Sequence, residues 1–163
     1  MKTNEFETIV QDILENEEFN KTKYIEHHGV TRYEHLYRVA YTSYKISKKL
    51  HFKYEEVARA ALLHDFFFSD ELRSRKEKFL STFIHPKWAL KNSKKYFELS
   101  KLEENIIESH MFPINPKLPK HKESFLVSMV DKVVAAYEFS LKFKVKFKYV
   151  TNVLILVLFG VVK

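Results

Sequence analysis

Turn-forming residues are scarce in this chain, whose 163 residues include 2 glycines and 4 prolines. A fold built from many short strands needs these residues at its frequent tight turns, whereas helices joined by short loops need few of them. The length is enough for one domain with a real core and too short for two domains of ordinary size. We therefore predict an all-α fold, a bundle of about six helices.

Hydrophobic spacing and capping signals place these helices along the chain. Thr31 precedes Glu34, and Ser100 precedes Glu103, at the spacing of a capping box, which marks a helix start. His85 comes just before Pro86, and proline is tolerated in the first turn of a helix. The six predicted helices run from Asn4 to Leu14, from about Thr31 to Leu50, from Tyr54 to His64, from His85 to Phe97, from Ser100 to His110, and from Lys122 to Phe139.

The last segment has a different pattern. In residues 141–149 apolar or aromatic residues alternate with lysines, which is the period of a strand. Residues 153–162 are almost wholly apolar, but this run is shorter than the roughly 20 residues that cross a bilayer. We divide the chain into a domain at 1–140 and a tail at 141–163, and predict a β-hairpin or a packed apolar tail, with an interfacial anchor as the alternative.

The adjacent pair His64-Asp65 follows a run of small and apolar residues at the predicted end of the third helix. A buried carboxylate is costly unless it is paired, hydrogen-bonded or bound to a metal. Further candidate ligands fall at helix ends or on apolar helix faces, and they complete the ordered set His35, His64, Asp65, His85, His110 and Asp131.

The chain has no cysteine, so any metal must be held by histidine and carboxylate side chains. Ligands of this kind suit divalent Fe, Mn, Co, Ni or Zn, and six of them exceed the needs of one ion. Two ions bridged by Asp65 would use all six residues. Such a pair would polarise a phosphoryl oxygen and supply an activated hydroxide at neutral pH.

The ordered pattern of His35, His64-Asp65 and Asp131 resembles the HD superfamily of metal-dependent phosphohydrolases. The added His85 and His110 make it similar to the bimetallic branch, which includes bacterial hydrolases of diadenosine tetraphosphate. The resemblance covers residues 31–138 and implies a helical fold that hydrolyses a phosphate ester or anhydride of a nucleotide-type substrate. It assigns His64 and Asp65 to catalysis, and all six residues to metal binding.

Three basic residues lie near predicted ligands in the sequence and are candidates for phosphate binding: Arg38, Arg59 and Lys132. For each of them a surface charge or a supporting salt bridge is the alternative. In many relatives a lysine follows the His-Asp pair, whereas here the chain continues with Phe66, Phe67 and Phe68. That departure favours a second hypothesis, a metal-stabilised module that binds a nucleotide with little or no turnover.

The net charge and the first residues give little information about function. The net charge of +7 permits binding of anions, but no basic aromatic platform indicates nucleic acid. The first residues do not form a signal peptide, so we expect a cytoplasmic protein. The expected partner is a small phosphate compound or nucleotide, and a homodimer and membrane contact by the tail are left open.

Overall fold

The computed structural model describes residues 4–27, 29–68 and 75–158. Within these ranges the chain is almost entirely helical, which confirms the all-α prediction. The elements in chain order are α1 (Glu5–Ile9), α2 (Gln11–Leu14), α3 (Glu17–Asn20), a 3₁₀ helix (Lys21–Tyr24), β1 (Glu26–His27), β2 (Val30–Thr31), α4 (Arg32–Lys49), α5 (Tyr54–Leu63), α6 (Arg75–Tyr96), α7 (Lys101–Ser109) and α8 (Lys122–Leu158).

The N-terminal segment is broken into short pieces, so the prediction of one continuous first helix is wrong. The backbone leaves helical geometry at Val10, with φ of −108° and ψ of 13°. Asn16 then starts a new helix, because its side chain accepts a hydrogen bond from the backbone N–H of Phe19. The strands β1 and β2 pair antiparallel, and Gly29 between them has a φ of 93°, which glycine adopts without steric cost.

Helices α4 and α5 form the centre of the molecule. Helix α4 packs against α5 and α8, while α7 contacts α5, α6 and α8. Their inner faces bury a continuous apolar core that includes Leu36, Val39, Leu62, Leu63 and Ile106. Phe6 of α1 packs edge-on against Tyr37 and Tyr41, which joins the N-terminal segment to the same core.

Both predicted capping boxes are present. Thr31 Oγ1 accepts from the Glu34 N–H at 3.2 Å, while the Thr31 N–H donates to Glu34 Oε2 at 2.8 Å. Ser100 and Glu103 make the same two bonds, at 3.2 and 2.6 Å. The starts of α4 and α7 are therefore determined locally.

The predicted start of the fourth helix, at His85, is wrong. Helix α6 begins at Arg75 and contains Pro86, so His85 lies in mid-helix rather than at a start. Pro86 removes one N–H from the helix ladder, but the rest of the helix continues through it. Residues 69–74, which precede α6, lie outside the described residues.

Helix α8 continues through Leu158, and so the predicted hairpin in the tail is also wrong. No glycine or proline interrupts the sequence between Lys122 and Leu158. Extending an existing helix avoids the cost of nucleation, and this outweighs the strand-like alternation of residues 141–149. None of the helices in the described part of the chain is long and apolar enough to cross a membrane.

Candidate metal centre

All six predicted ligands come together at one buried place, from five helices. His35 comes from the first turn of α4, and His85 from the middle of α6. His64 and His110 stand at the C-terminal ends of α5 and α7, with Asp65 next in the chain after His64, while Asp131 lies on the inner face of α8. We call these residues the His/Asp cluster, and each of them is buried.

One half of the cluster is centred on Asp131. Its Oδ1 atom lies 3.1 Å from His35 Nε2 and 3.5 Å from His64 Nε2. These three residues can present one ligand atom each within 4.8 Å of one another. Such spacing allows all three to coordinate a single ion.

The other half is centred on Asp65. Its Oδ1 atom lies 3.2 Å from His85 Nε2 and 3.4 Å from His110 Nε2. His64, Asp65 and His110 form a second group that could hold an ion, and it shares His64 with the first group. The cluster therefore contains two overlapping ligand groups rather than one.

The four imidazole rings share one orientation, in which Nδ1 makes a hydrogen bond to the protein and Nε2 faces the cluster. The Nδ1 atoms of His64, His85 and His110 donate to the backbone carbonyls of Ala61, Ser81 and Ile107, at 2.8, 3.0 and 2.8 Å. His35 Nδ1 instead donates to Glu138 Oε2 at 2.8 Å. With Nδ1 engaged as a donor, each ring points its Nε2 atom into the cluster, which is the arrangement of metal-binding histidines.

The contacts inside the cluster fit a bound cation. His85 Nε2 and His110 Nε2 are 3.0 Å apart, and two nitrogen lone pairs at that distance repel unless a proton or a metal ion lies between them. His64 Nε2 is fully buried and makes no hydrogen bond within the described residues. Imidazole nitrogens with carboxylate oxygens are the donor set of divalent Zn, Fe, Mn, Co and Ni.

The carboxylates and histidines of the cluster shift one another's pKa values. Burial alone would raise the pKa of both carboxyl groups, but the neighbouring histidines hold the pKa values of Asp65 and Asp131 below their ordinary range. Burial opposes the charged form of His35, yet hydrogen bonds to Asp131 and Glu138 raise its pKa to about 9. Burial lowers the pKa of His85. Burial also opposes the charged form of His110, but the hydrogen bond to Asp65 and the charges of Asp65 and Asp131 together raise its pKa.

Glu138 is the residue of this site that the sequence analysis missed. Its side chain is fully buried, accepts from His35 Nδ1 and forms an ion pair with Arg38. It lies at i+7 from Asp131 and so on the same face of α8. This spacing on an otherwise apolar face is the signal that could have identified it.

The three basic candidates lie in different surroundings. Arg38 is half-exposed and pairs with Glu138, which brings it next to the cluster. Lys132 Nζ donates to the His110 carbonyl at 2.8 Å and to the Ser128 carbonyl and hydroxyl at 3.0 Å each. Arg59 binds Asp12 through two bonds, of 2.6 and 2.9 Å, and Glu103 at 3.2 Å.

An open cavity of about 370 Å³ borders the cluster on the side of α6. We call it the aromatic pocket, and its lining residues are Phe67, Phe68, Trp88, Lys91, Asn92 and Lys95. The Phe67 ring stacks on His85, with ring centres 5.3 Å apart and planes inclined by 22°. Arg32 covers Phe67, with its guanidinium carbon 4.2 Å from the ring centre.

Comparison with known proteins gives a family match. Residues 32–136, which include all six members of the cluster, match the family model described as HD domain. Comparisons with the curated proteins and with the solved structures found no match.

Proposed function

The chain belongs to the HD-domain family, and from this premise we propose that it hydrolyses a phosphate ester or anhydride of a nucleotide-type substrate with two divalent transition ions. Members of this family are in general metal-dependent phosphohydrolases. The observation that carries the proposal is the convergence of four oriented Nε2 atoms on two buried carboxylates.

Two centres of candidate ligands support the two-ion assignment, one at Asp131 and the other at Asp65. His35, His64 and Asp131 would hold one ion, and Asp65, His85 and His110 the other, with Asp65 near enough to His64 to serve both. Single ions in proteins rarely use six protein ligands and still keep positions open for a substrate. The extra histidines therefore support a pair of ions, as in the bimetallic branch.

The protein's own groups would orient the ions and the substrate. Bound divalent ions lower the pKa of coordinated water and offset negative charge on phosphoryl oxygens. Asp65 and Asp131 supply the anionic oxygens of the site, and burial keeps competing water away from them. Lys132 fixes the end of α7 at His110, and Arg38 fixes Glu138 behind His35.

The aromatic pocket supports a substrate with a nucleobase. Phe68 and Trp88 offer aromatic surface for stacking, while Lys91 and Lys95 can attract phosphate groups. Phe67, which lines the pocket, stacks on His85, so the pocket is a neighbour of the cluster.

Metal content and activity together test the two-ion proposal. We expect about two transition ions per chain in the wild type and one or fewer in a His85→Ala, His110→Ala double variant. His121→Ala is the matched control, because His121 is exposed and outside the cluster. Asp65→Ala should abolish phosphate release from a panel of nucleotides with its helical content unchanged. One ion per chain in every variant, or unchanged activity in Asp65→Ala, would contradict the proposal.

Nucleotide binding can be followed without turnover. Trp88 is the only tryptophan of the chain and lies in the pocket, so a bound nucleobase should change its fluorescence. Substituting Lys91 and Lys95 by glutamate should weaken this binding at least tenfold, whereas Lys101→Glu, at an exposed residue outside the pocket, should leave it unchanged. A fluorescence response that is equal in all three proteins would exclude the pocket.

The aromatic run after Asp65 favours a second candidate function. Phe66, Phe67 and Phe68 occupy the segment in which many relatives place a phosphate-binding lysine. The second candidate is a metal-stabilised module that binds a nucleotide without hydrolysing it. Tight binding in the fluorescence assay, with two ions loaded and no phosphate release across the panel, would establish this alternative.

A further inference from the structure

The outward side of α8 carries an apolar stripe that no element of the described chain covers. Its members follow helical spacing along the side opposite to Asp131 and Glu138. The exposed fractions are 52% for Phe125, 45% for Met129, 65% for Val133, 53% for Tyr137, 59% for Phe139 and 65% for Phe143. We call these six residues the α8 stripe.

The stripe contains no charged side chain, which is unusual for the outer side of a surface helix. Between Ser124 and Leu141 the only ionisable groups apart from Tyr137 are Asp131, Lys132 and Glu138. Asp131 and Glu138 are buried against the cluster, and Lys132 donates to the His110 carbonyl. Lys132 lies seven residues from both Phe125 and Phe139 and so on the side of the stripe, but its ammonium group is bound to the end of α7.

The size of the stripe is that of a protein interface. A fully exposed aromatic side chain offers roughly 200 Å², so these exposed fractions correspond to about 600 Å² of mainly apolar surface over a length of about 27 Å. Monomeric soluble proteins rarely expose a contiguous apolar patch larger than a few hundred Å². A standard interface takes about 800 Å² from each partner, and the surroundings of the stripe, among them Ala136 and Leu141, can supply the difference.

We propose that the α8 stripe is the interface of a homodimer. Because the stripe is apolar along its whole length, it is complementary to itself under a two-fold rotation. The net charge of +7 makes two copies repel over much of their surface, and the stripe lets them meet without opposing any charged pair. Small exposed residues at Ala136 and Ser140 would let the two helices approach closely near the axis.

This dimer does not involve the His/Asp cluster, which lies on the other side of α8. Asp131 and Glu138 lie on the face of α8 that is turned toward α4 and the core, away from the stripe. Dimerisation is therefore separable from metal binding and from the proposed hydrolysis.

The mass of the full chain in solution tests the proposal. At about 100 μM, light scattering should give a mass twice that of the 19.6 kDa chain for the wild type. Val133→Glu and Met129→Glu should each weaken dimerisation at least tenfold, because a charge would be buried in the interface. Tyr24→Glu is the control for a charge added at an exposed aromatic residue outside the stripe, since Tyr24 is 90% exposed, and it should remain dimeric.

Circular dichroism and metal content would establish that each variant is folded. A wild type that is monomeric at this concentration would overturn the proposal, whether or not it binds to vesicles of phosphatidylcholine and phosphatidylglycerol. Stripe variants that stay dimeric would also overturn it, because another surface would then form the dimer.

Cross-linking gives an independent measurement, since the chain has no cysteine of its own. Single cysteines introduced as Val133→Cys, Ala136→Cys, Tyr137→Cys and Ser140→Cys sample the region of the axis. We expect at least one of them to form a covalent dimer on oxidation, far faster than Tyr24→Cys does. Equal rates at all five positions would contradict the proposed interface.

Discussion

The four cluster histidines obtain the same orientation in two ways. His64, His85 and His110 each bond a backbone carbonyl of the preceding helical turn, so any fold that forms these helix turns also orients these rings. His35 depends on a side chain, Glu138, which comes from a different helix. Its orientation is therefore the one that a single substitution can disturb.

We predict that Glu138→Gln lowers metal affinity about 10- to 100-fold, as is typical for partners behind a metal-binding histidine. A glutamine can offer one oxygen, whereas Glu138 accepts from both His35 and Arg38. Calorimetric titration of metal into the stripped protein would measure the loss. Glu123→Gln is the control, because Glu123 is buried at the start of the same helix and contacts no cluster residue in the described chain. Equal affinity in the two variants would contradict a positioning role for Glu138.

Local signals in the sequence indicated several members of the cluster, and their role as metal ligands stays a prediction. His64-Asp65 follows an apolar helical run, and Asp131 is surrounded by valines and alanine at helical spacing. Glu138 has a weaker signal, because its partner His35 lies on another helix and the pairing exists only in three dimensions.

At the scale of the elements, the two helix starts marked by capping boxes were predictable, whereas the start of α6 and the length of α8 were not. The capping boxes at Thr31 and Ser100 use neighbouring residues only, and both are present in the structure. Pro86 is typical of a helix start, but here it lies within a long helix, and the alternating tail extends a helix that already existed.

Arg59, a predicted phosphate-binding residue, makes a contact between helices in the structure. It lies on α5 and joins α2 to α7, through Asp12 and the buried Glu103. We predict that Arg59→Ala destabilises the fold by about 1 to 3 kcal/mol, because Glu103 loses its cationic partner. Denaturant unfolding would measure this, with Lys53→Ala as the control for an exposed ion pair.

The same variant separates the two roles considered for Arg59. If Arg59 serves structure alone, kcat/KM of the metal-loaded variant should equal that of the wild type at a temperature where both are folded. A fall in kcat/KM without a loss of stability would instead establish a phosphate contact.

On the scale of the whole molecule, the cluster holds five helices together through charges that change with pH. In the metal-free protein His35 has a pKa of about 9, above its ordinary value of 6.5. A raised pKa means that the folded state binds the proton more tightly than the unfolded state does. The resulting stability is complete below pH 6.5 and is lost as the pH rises through 9. The pKa of His110 is also raised. The pKa of His85 is lowered, so its protonation affects the stability only below pH 6.5.

We therefore predict that the metal-free protein loses up to about 3 kcal/mol of unfolding free energy between pH 6.5 and 9. The metal-loaded protein should not show this loss, because a ligated Nε2 carries no proton and metal competes better as the pH rises. Unfolding in urea at both pH values, with a chelator and with added metal, measures the difference. His35→Gln should flatten the metal-free profile, since it removes the group whose proton links α4 to Asp131 on α8. A metal-free stability that is constant or rising across this window would mean that the cluster is held together by packing rather than by charge.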